Sequence, residues 1–169
     1  LLVRPGGSGA DGDWLDAIET QIAEHGIAIT AARIELAGRL TQVMASDGSP
    51  FPKAALAVTG DAEEWLAALP ALAAEDRLRT SLAESRRRDA ESGHTQFGPH
   101  RSDLQATHLA KRLPAALCST GEQKALLIAM VLAHGRLLAD CNGAAPVLLL
   151  DEIVAHLDAA RRRALFEAI

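Results

Sequence analysis

The first half of the chain carries apolar residues at helical spacing. Within residues 14–23 an apolar residue recurs every three to four positions, which predicts an amphipathic helix with Asp13 as its cap. The pair His25 and Gly26 predicts a break, because glycine weakens a helix interior, and a second helix is expected over residues 27–43. The preceding residues 4–13 are rich in Gly, Asp and Pro and are predicted to form a flexible connection.

The middle of the chain alternates between short extended and longer helical patterns. Residues 51–59 have a β-like composition, and a new helical span begins at Asp61. Pro70 is expected to kink or split that span, since proline removes a helical hydrogen bond. Residues 98–104 (GPHRSDL) predict turns and a strand, and residues 125–138 predict a strongly apolar helix.

A continuous apolar run near the end of the chain is followed by acidic residues. Residues 144–150, which contain the apolar run PVLLL at 146–150, predict a buried strand of a parallel sheet covered on both faces. Asp151 and Glu152 follow the strand directly, and Asp158 begins a final amphipathic helix. Ligands of doubly wound sheets gather at the carboxyl ends of strands, so these carboxylates predict a site. The alternative is a core strand that ends in a solvated acidic turn.

Composition and charge restrict the class of protein. The chain has 169 residues, 49% of them hydrophobic, which suffices for one or two small domains with a core. A net charge of -5 argues against nucleic acid on every face but permits a local basic patch. Cys118 and Cys141 are expected to be free thiols in a reducing compartment. The longest strictly apolar run, residues 125–133, is shorter than the ~20 residues of a membrane helix, so we expect a soluble cytoplasmic protein without a membrane partner.

A second chemical pattern precedes the apolar helix. Ser119 and Glu122 have the spacing of a capping box, in which each side chain satisfies a backbone amide at the helix start. The same exposed amides and positive helix end also bind phosphate. Gly121 would let the backbone approach such a group closely. The two interpretations are compatible, and both remain open from this pattern alone.

The order of these patterns resembles that of the ABC ATPase family. Four patterns occur in order within 40 residues: a Ser-x-Gly-Glu helix start, an apolar helix, a strand ending in Asp-Glu, and a Leu-Asp pair. The first resembles the signature motif of that family, the strand resembles its Walker B motif, and the Leu-Asp pair resembles its D-loop. The usual signature is Leu-Ser-Gly-Gly-Gln; here Cys118 replaces the leading Leu and Glu122 the Gln, and Thr120 stands at the first Gly. Ala155 stands where many relatives have Ser, so no hydroxyl contact is expected there.

Residues 98–104 narrow the resemblance to the RecF family, in which a similar element returns the chain from a helical insertion to the ATPase core. The resemblance covers essentially the whole chain and implies an α/β fold. It comprises a mostly helical insertion or lid domain over 1–92 and the C-terminal part of an ABC-type ATPase core over 93–169. The pattern G-x-x-x-x-G-K-[ST] does not occur. Because the chain starts at Leu1 and stops within a helical pattern, we expect an internal fragment that hydrolyses no ATP alone.

The resemblance also implies roles for individual residues. Asp151 would support Mg²⁺, usually through water, and Glu152 would orient or deprotonate the attacking water. The residues implied in ATP contacts, made to the nucleotide bound by the other subunit, are Ser119, Thr120, Gly121, Glu122 and Asp158. The arginines that could contact DNA phosphates are Arg86, Arg87 and Arg88, although a solvated helix surface is the alternative.

For the complete protein, the resemblance implies an ATP-dependent homodimer that binds DNA at gaps or at junctions of single and double strands. Such a protein would act with the recombination mediators RecR and RecO and help to load the RecA strand-exchange protein. Two other interpretations stay open. One is a different ABC- or SMC-like ATPase, such as a transporter subunit; the other is a helical binding module without catalysis.

Overall fold

The protein is mostly helical, with a small sheet. The computed structural model describes residues 9–151, Ile153 and residues 157–169. The helices are α1 (Gly9–Ser46), α2 (Asp61–Ala68), α3 (Ala71–Ser92), α4 (Thr120–Asn142) and α5 (Ala159–Ala168), and the strands are β1 (Ala54–Thr59), β2 (Asp103–His108) and β3 (Leu113–Pro114). The strands form one sheet in the order β1-β2-β3, and β2 pairs with β3 in antiparallel orientation. Single turns of 3-10 helix, Pro99–Arg101 and Ala115–Leu117, precede β2 and α4.

Helix α1 is continuous, so the predicted break at His25 and Gly26 is wrong, as is the predicted cap at Asp13. Gly26 is buried, and a Cβ atom there would lie 3.1 Å from Leu78 and 3.4 Å from Pro99. The glycine therefore allows close packing rather than ending the helix. Of the predicted connection, residues 9–13 are helical, and the preceding residues lie outside the described part of the chain.

The chain divides into two compact units. The first combines the chain up to Glu35 with Val58–Leu104. Its core consists of the buried residues Ala23, Ile27, Ala62, Ala74, Leu78 and Leu82, with Ile22, Trp65, Leu66 and Phe97 packed against them. Pro70 separates α2 from α3, which confirms the predicted split. The boundary between a lid domain and an ATPase core at residues 92 and 93 stays a prediction, because compactness of a segment does not define the domains of a longer protein.

The second unit combines Leu36–Ala57 with Gln105–Ile169. Helix α4 provides much of its core, through the buried residues Ala125, Leu126, Ile128, Ala129, Leu132, Ala133, Gly135 and Leu137. Within the described residues, α4 is long and apolar enough to cross a membrane by length and composition, a test that core helices also meet. Both cysteines are free, as predicted: Cys118 is buried, while Cys141 is exposed and its sulfur accepts a hydrogen bond from Arg39 at 3.4 Å.

Residues 146–150 do not form the predicted buried strand. Val147 and Leu149 are 88% and 93% exposed, whereas Pro146 and Leu148 lie within 3.8 Å of the position that a Cβ atom of Gly135 would occupy. A strand needs a neighbour for its backbone N–H and C=O groups, and no described strand lies beside this segment. The segment therefore lies outside any helix or strand and is packed on one side only.

Candidate functional site

The start of α4 carries a capping box, as the sequence predicts. Ser119 has extended backbone angles and is the N-cap residue, and Glu122 lies in the first helical turn. The Oε2 atom of Glu122 accepts hydrogen bonds from the backbone N–H of Ser119 at 3.1 Å and from its hydroxyl at 2.9 Å. These contacts fix the Ser119 side chain at the helix terminus.

Lys111 is a second partner of Glu122 that the sequence analysis missed. Its Nζ atom forms an ion pair with Oε1 of Glu122. The hydrogen bond from Lys111 and those from Ser119 lower the pKa of Glu122 to about 2, and Glu122 raises the pKa of Lys111. Glu122 is therefore ionised at neutral pH, and its charge is balanced. No local pattern joins these residues, since the β2–β3 hairpin brings them together.

The first turn of α4 is accessible to a ligand. Thr120 and Gly121 are exposed, and nothing lies within 4 Å of the position that a Cβ atom of Gly121 would occupy. Amides in a first helical turn have no carbonyl partner within the helix, and together with the helix dipole they attract anions. The exposed turn thus leaves open space for a ligand beside Gly121. To donate a hydrogen bond to a phosphate group, the Ser119 hydroxyl must rotate away from Glu122.

The structure describes two of the three acidic site residues predicted near the end of the chain, Asp151 and Asp158. Asp151 is exposed and outside any helix or strand, and Glu152 lies outside the described residues, as do residues 154–156. Asp158 is the N-cap of α5, where its Oδ1 atom accepts a hydrogen bond from the N–H of Arg161 at 2.8 Å. Among the described residues, no hydrogen bond or ion pair joins Asp151 or Asp158 to the start of α4, and no three His, Cys, Asp or Glu side chains form a metal-binding group. Their roles in nucleotide and Mg²⁺ binding stay predictions.

The three consecutive arginines have different environments. Arg86 donates to both carboxylate oxygens of Glu19, at 2.6 and 2.5 Å, and also pairs with Asp16. Glu19 is only 5% exposed, so Arg86 neutralises a buried charge between α1 and α3, and its own pKa is raised. Arg87 is exposed and pairs with Glu91 at 3.0 Å; Arg88 is also exposed. Of the three, Arg87 and Arg88 face solvent, and DNA contact stays a prediction.

The GPHRSDL segment has a structural role in the first unit. The ring of Pro99 packs against Gly26, and the carbonyl oxygen of Pro99 accepts a hydrogen bond from Arg33 at 2.5 Å. A ring nitrogen of His100 lies 3.0 Å from the carbonyl oxygen of Thr95. These contacts hold the turn on α1 before the chain enters β2.

Comparison with known proteins identifies relatives over nearly the whole chain, although no family model matches it. The DNA replication and repair protein RecF of Mesorhizobium japonicum is 51% identical over 161 residues, which are 94% of this chain and 42% of that protein. The RecF protein of Brucella abortus is 52% identical over 159 residues, covering 92% of this chain and 41% of its own length. The chain thus spans about two fifths of the length of these relatives.

Solved structures agree on the fold. The recombination mediator protein RecF-ATPrS in the RecFOR pathway matches 97% of this chain with a TM-score of 0.73 at 22% identity, and RecF-ATP in the same pathway matches with a TM-score of 0.70 at 24% identity. In each case the match covers 44% of the solved chain. The chain therefore has the fold of the corresponding part of these RecF structures, and its similarity to RecF proteins over 94% of its length confirms the resemblance to the RecF family that its motifs predict.

Proposed function

We propose that this chain is part of an ATP-dependent DNA-binding protein of recombinational repair. Its relatives carry the name DNA replication and repair protein, and the similar structures are those of RecF-ATPrS and RecF-ATP. The observation that carries the proposal is the accessible start of α4, where Ser119 is held at an anion-attracting helix terminus with open space beside Gly121.

In the proposed site, Ser119, Thr120 and Gly121 contact the γ-phosphate of ATP bound to a second copy. The amides of the first turn and the serine hydroxyl are the donors, and the helix dipole adds a favourable field. Asp158 reaches toward the partner from the start of α5. ATP thereby joins two copies, and each nucleotide lies between two subunits.

Asp151 and Glu152 supply the acidic groups of the proposed site. An exposed carboxylate such as that of Asp151 fits Mg²⁺, which proteins bind through one or two carboxylates together with substrate phosphates. When bound, Mg²⁺ would neutralise phosphate charge. Glu152 orients the attacking water and accepts its proton.

The ATP-bound dimer would hold DNA at gaps or at junctions of single and double strands. Arg87 and Arg88 are the exposed candidates for phosphate contacts, whereas Arg86 is engaged by Glu19. The same scheme includes the mediators RecR and RecO, assistance to RecA loading, and a cytoplasmic location.

Replacement of Ser119 by arginine in the complete protein tests this proposal. The loss of one cap costs about 1 kcal/mol, so the fold should survive. ATP should still bind each monomer, but ATP-induced dimerisation and hydrolysis should fail because a bulky cation fills the junction. Ser119→Ala is the matched control: it removes the cap and the hydroxyl without adding bulk, and its defect should be milder.

Mixing two inactive variants gives the decisive result. Ser119→Arg is combined with a variant of the complete protein that lacks the lysine of its phosphate-binding loop. A mixed dimer contains one intact composite site, so part of the hydrolysis should return. If heterodimers form and stay as inactive as either parent, Ser119 is only a helix cap and the proposed site is wrong.

A further inference from the structure

A carboxylate accepts the hydrogen bond of the serine hydroxyl that the proposed function assigns to phosphate. Oε2 of Glu122 already accepts two hydrogen bonds from Ser119, the residue proposed to contact phosphate. An ionised carboxylate competes with phosphate for the same donors and repels it. The charge of Glu122 must therefore be compensated if this helix terminus is to accept a nucleotide.

Lys111 supplies that compensation. It pairs with Oε1 of Glu122, the oxygen that Ser119 does not use, so Lys111 and Ser119 bind opposite sides of one carboxylate. Exposed ion pairs contribute little to folding stability, and the Lys111 side chain is about half exposed. The pair thus contributes little to folding stability, but it reduces the negative charge beside the start of α4.

The backbone of Lys111 is held in place by the turn between β2 and β3. The N–H of Arg112 donates to the carbonyl oxygen of His108 at 2.8 Å, and the N–H of Lys111 lies 3.4 Å from the ring nitrogen Nδ1 of the same residue. His108 is only 7% exposed, and Leu109 donates to the carbonyl oxygen of Lys53 at 2.9 Å. These hydrogen bonds therefore fix the backbone of Lys111 beside the start of α4.

We propose that Lys111 is a positioning residue for the signature serine: it neutralises Glu122 and retains it while the Ser119 hydroxyl turns to the phosphate. The inference rests on the proposed function. Throughout that exchange the backbone N–H of Ser119 continues to donate to Glu122, so the helix start keeps its shape. The ligand class is the terminal phosphate of a nucleoside triphosphate bound to a second copy.

The test uses Lys111→Met in the complete protein, because methionine keeps the length of the side chain and removes its charge. The ATP concentration for half-maximal dimerisation, measured by analytical ultracentrifugation, should rise roughly fivefold or more, the lower end of coupling between linked binding events. Lys111→Arg should restore the wild-type response. Arg112→Gln is the matched control: it loses the same charge from the same turn, contacts Glu122 nowhere in the described structure, and should change nothing.

A double variant separates charge compensation from a merely structural role. With Glu122→Gln in the background there is no charge to neutralise, so Lys111→Met should add less than about a twofold effect. Additive losses, or a wild-type response of Lys111→Met, overturn the inference while leaving ATP-dependent dimerisation intact. If the wild-type protein itself does not dimerise with ATP, the proposed function fails, and this inference fails with it.

Discussion

A methyl group added at Gly26 tests the packing of α1 in the first unit. Its Cβ atom would lie 3.1 Å from a terminal carbon of Leu78, closer than carbon atoms normally pack, and 3.4 Å from Pro99. Leu78 is completely buried, so it has little room to move. Gly38, an exposed position on the same helix, has nothing within 4 Å of its corresponding Cβ and is the matched control.

Two effects oppose each other at Gly26. Alanine is favoured over glycine in a helix interior by about 1 kcal/mol, and this gain applies at both positions. At Gly26 alone the methyl group overpacks the core, which typically costs about 1–3 kcal/mol. Gly38→Ala should therefore stabilise the protein by about 1 kcal/mol, while Gly26→Ala should be neutral or destabilising by up to about 2 kcal/mol.

Urea unfolding measures this difference. With a slope of about 1–3 kcal/mol per molar urea, a 2 kcal/mol difference separates the two midpoints by roughly 1 M. Circular dichroism measures the loss of helix in both variants. The fluorescence of Trp65, which packs against the core that contains Leu78, measures the unfolding of the first unit. Equal stabilisation by the two alanines would refute the close contact and would restore the interpretation of Gly26 as a simple helix-weakening residue.

Two further predictions concern the carboxylates. In the complete protein, Glu152→Gln should lower ATP hydrolysis by roughly 10²-fold or more while ATP binding persists and the ATP-bound dimer lives longer; a wild-type rate would exclude Glu152 as the residue that orients water. The hydrogen bonds from Lys111 and Ser119 hold the pKa of Glu122 at about 2, well below its ordinary value of 4.5, so the carboxyl should stay ionised as the pH falls through 4.5. An NMR titration of the Glu122 carboxyl should show ionisation that persists well below pH 4.5, and a titration near the ordinary value would contradict the contacts to Lys111 and Ser119.

Local signals in the sequence predicted those elements whose determinants are themselves local. The spacing of Ser119 and Glu122 gave the capped start of α4, Pro70 separated α2 from α3, and Asp158 began α5. The capping contacts of Ser119 and Asp158 lie within one helical turn, and Pro70 acts by removing a backbone donor at its own position, so a short stretch of sequence contains each signal.

The failures involve partners that are distant in sequence. Gly26 could not be distinguished from a helix breaker, because its tight contact is with Leu78, on a different helix. Residues 146–150 have the composition of a strand, but strand formation depends on neighbouring backbone groups that no local pattern supplies. Lys111 was missed for the same reason, since only the β2–β3 turn places it beside Glu122.

The unequal exposure of the two thiols makes α4 convenient for site-selective labelling. Cys118 is buried beside the proposed nucleotide contact, and Cys141 is exposed in the last turn of the same helix. At 1.5 Å per residue, a maleimide dye on Cys141 would sit about 33 Å along the helix axis from Ser119. A fluorophore can therefore be attached at the native Cys141 of this chain to test the proposed joining of two copies, while the helix end that carries the proposed phosphate contacts stays unlabelled.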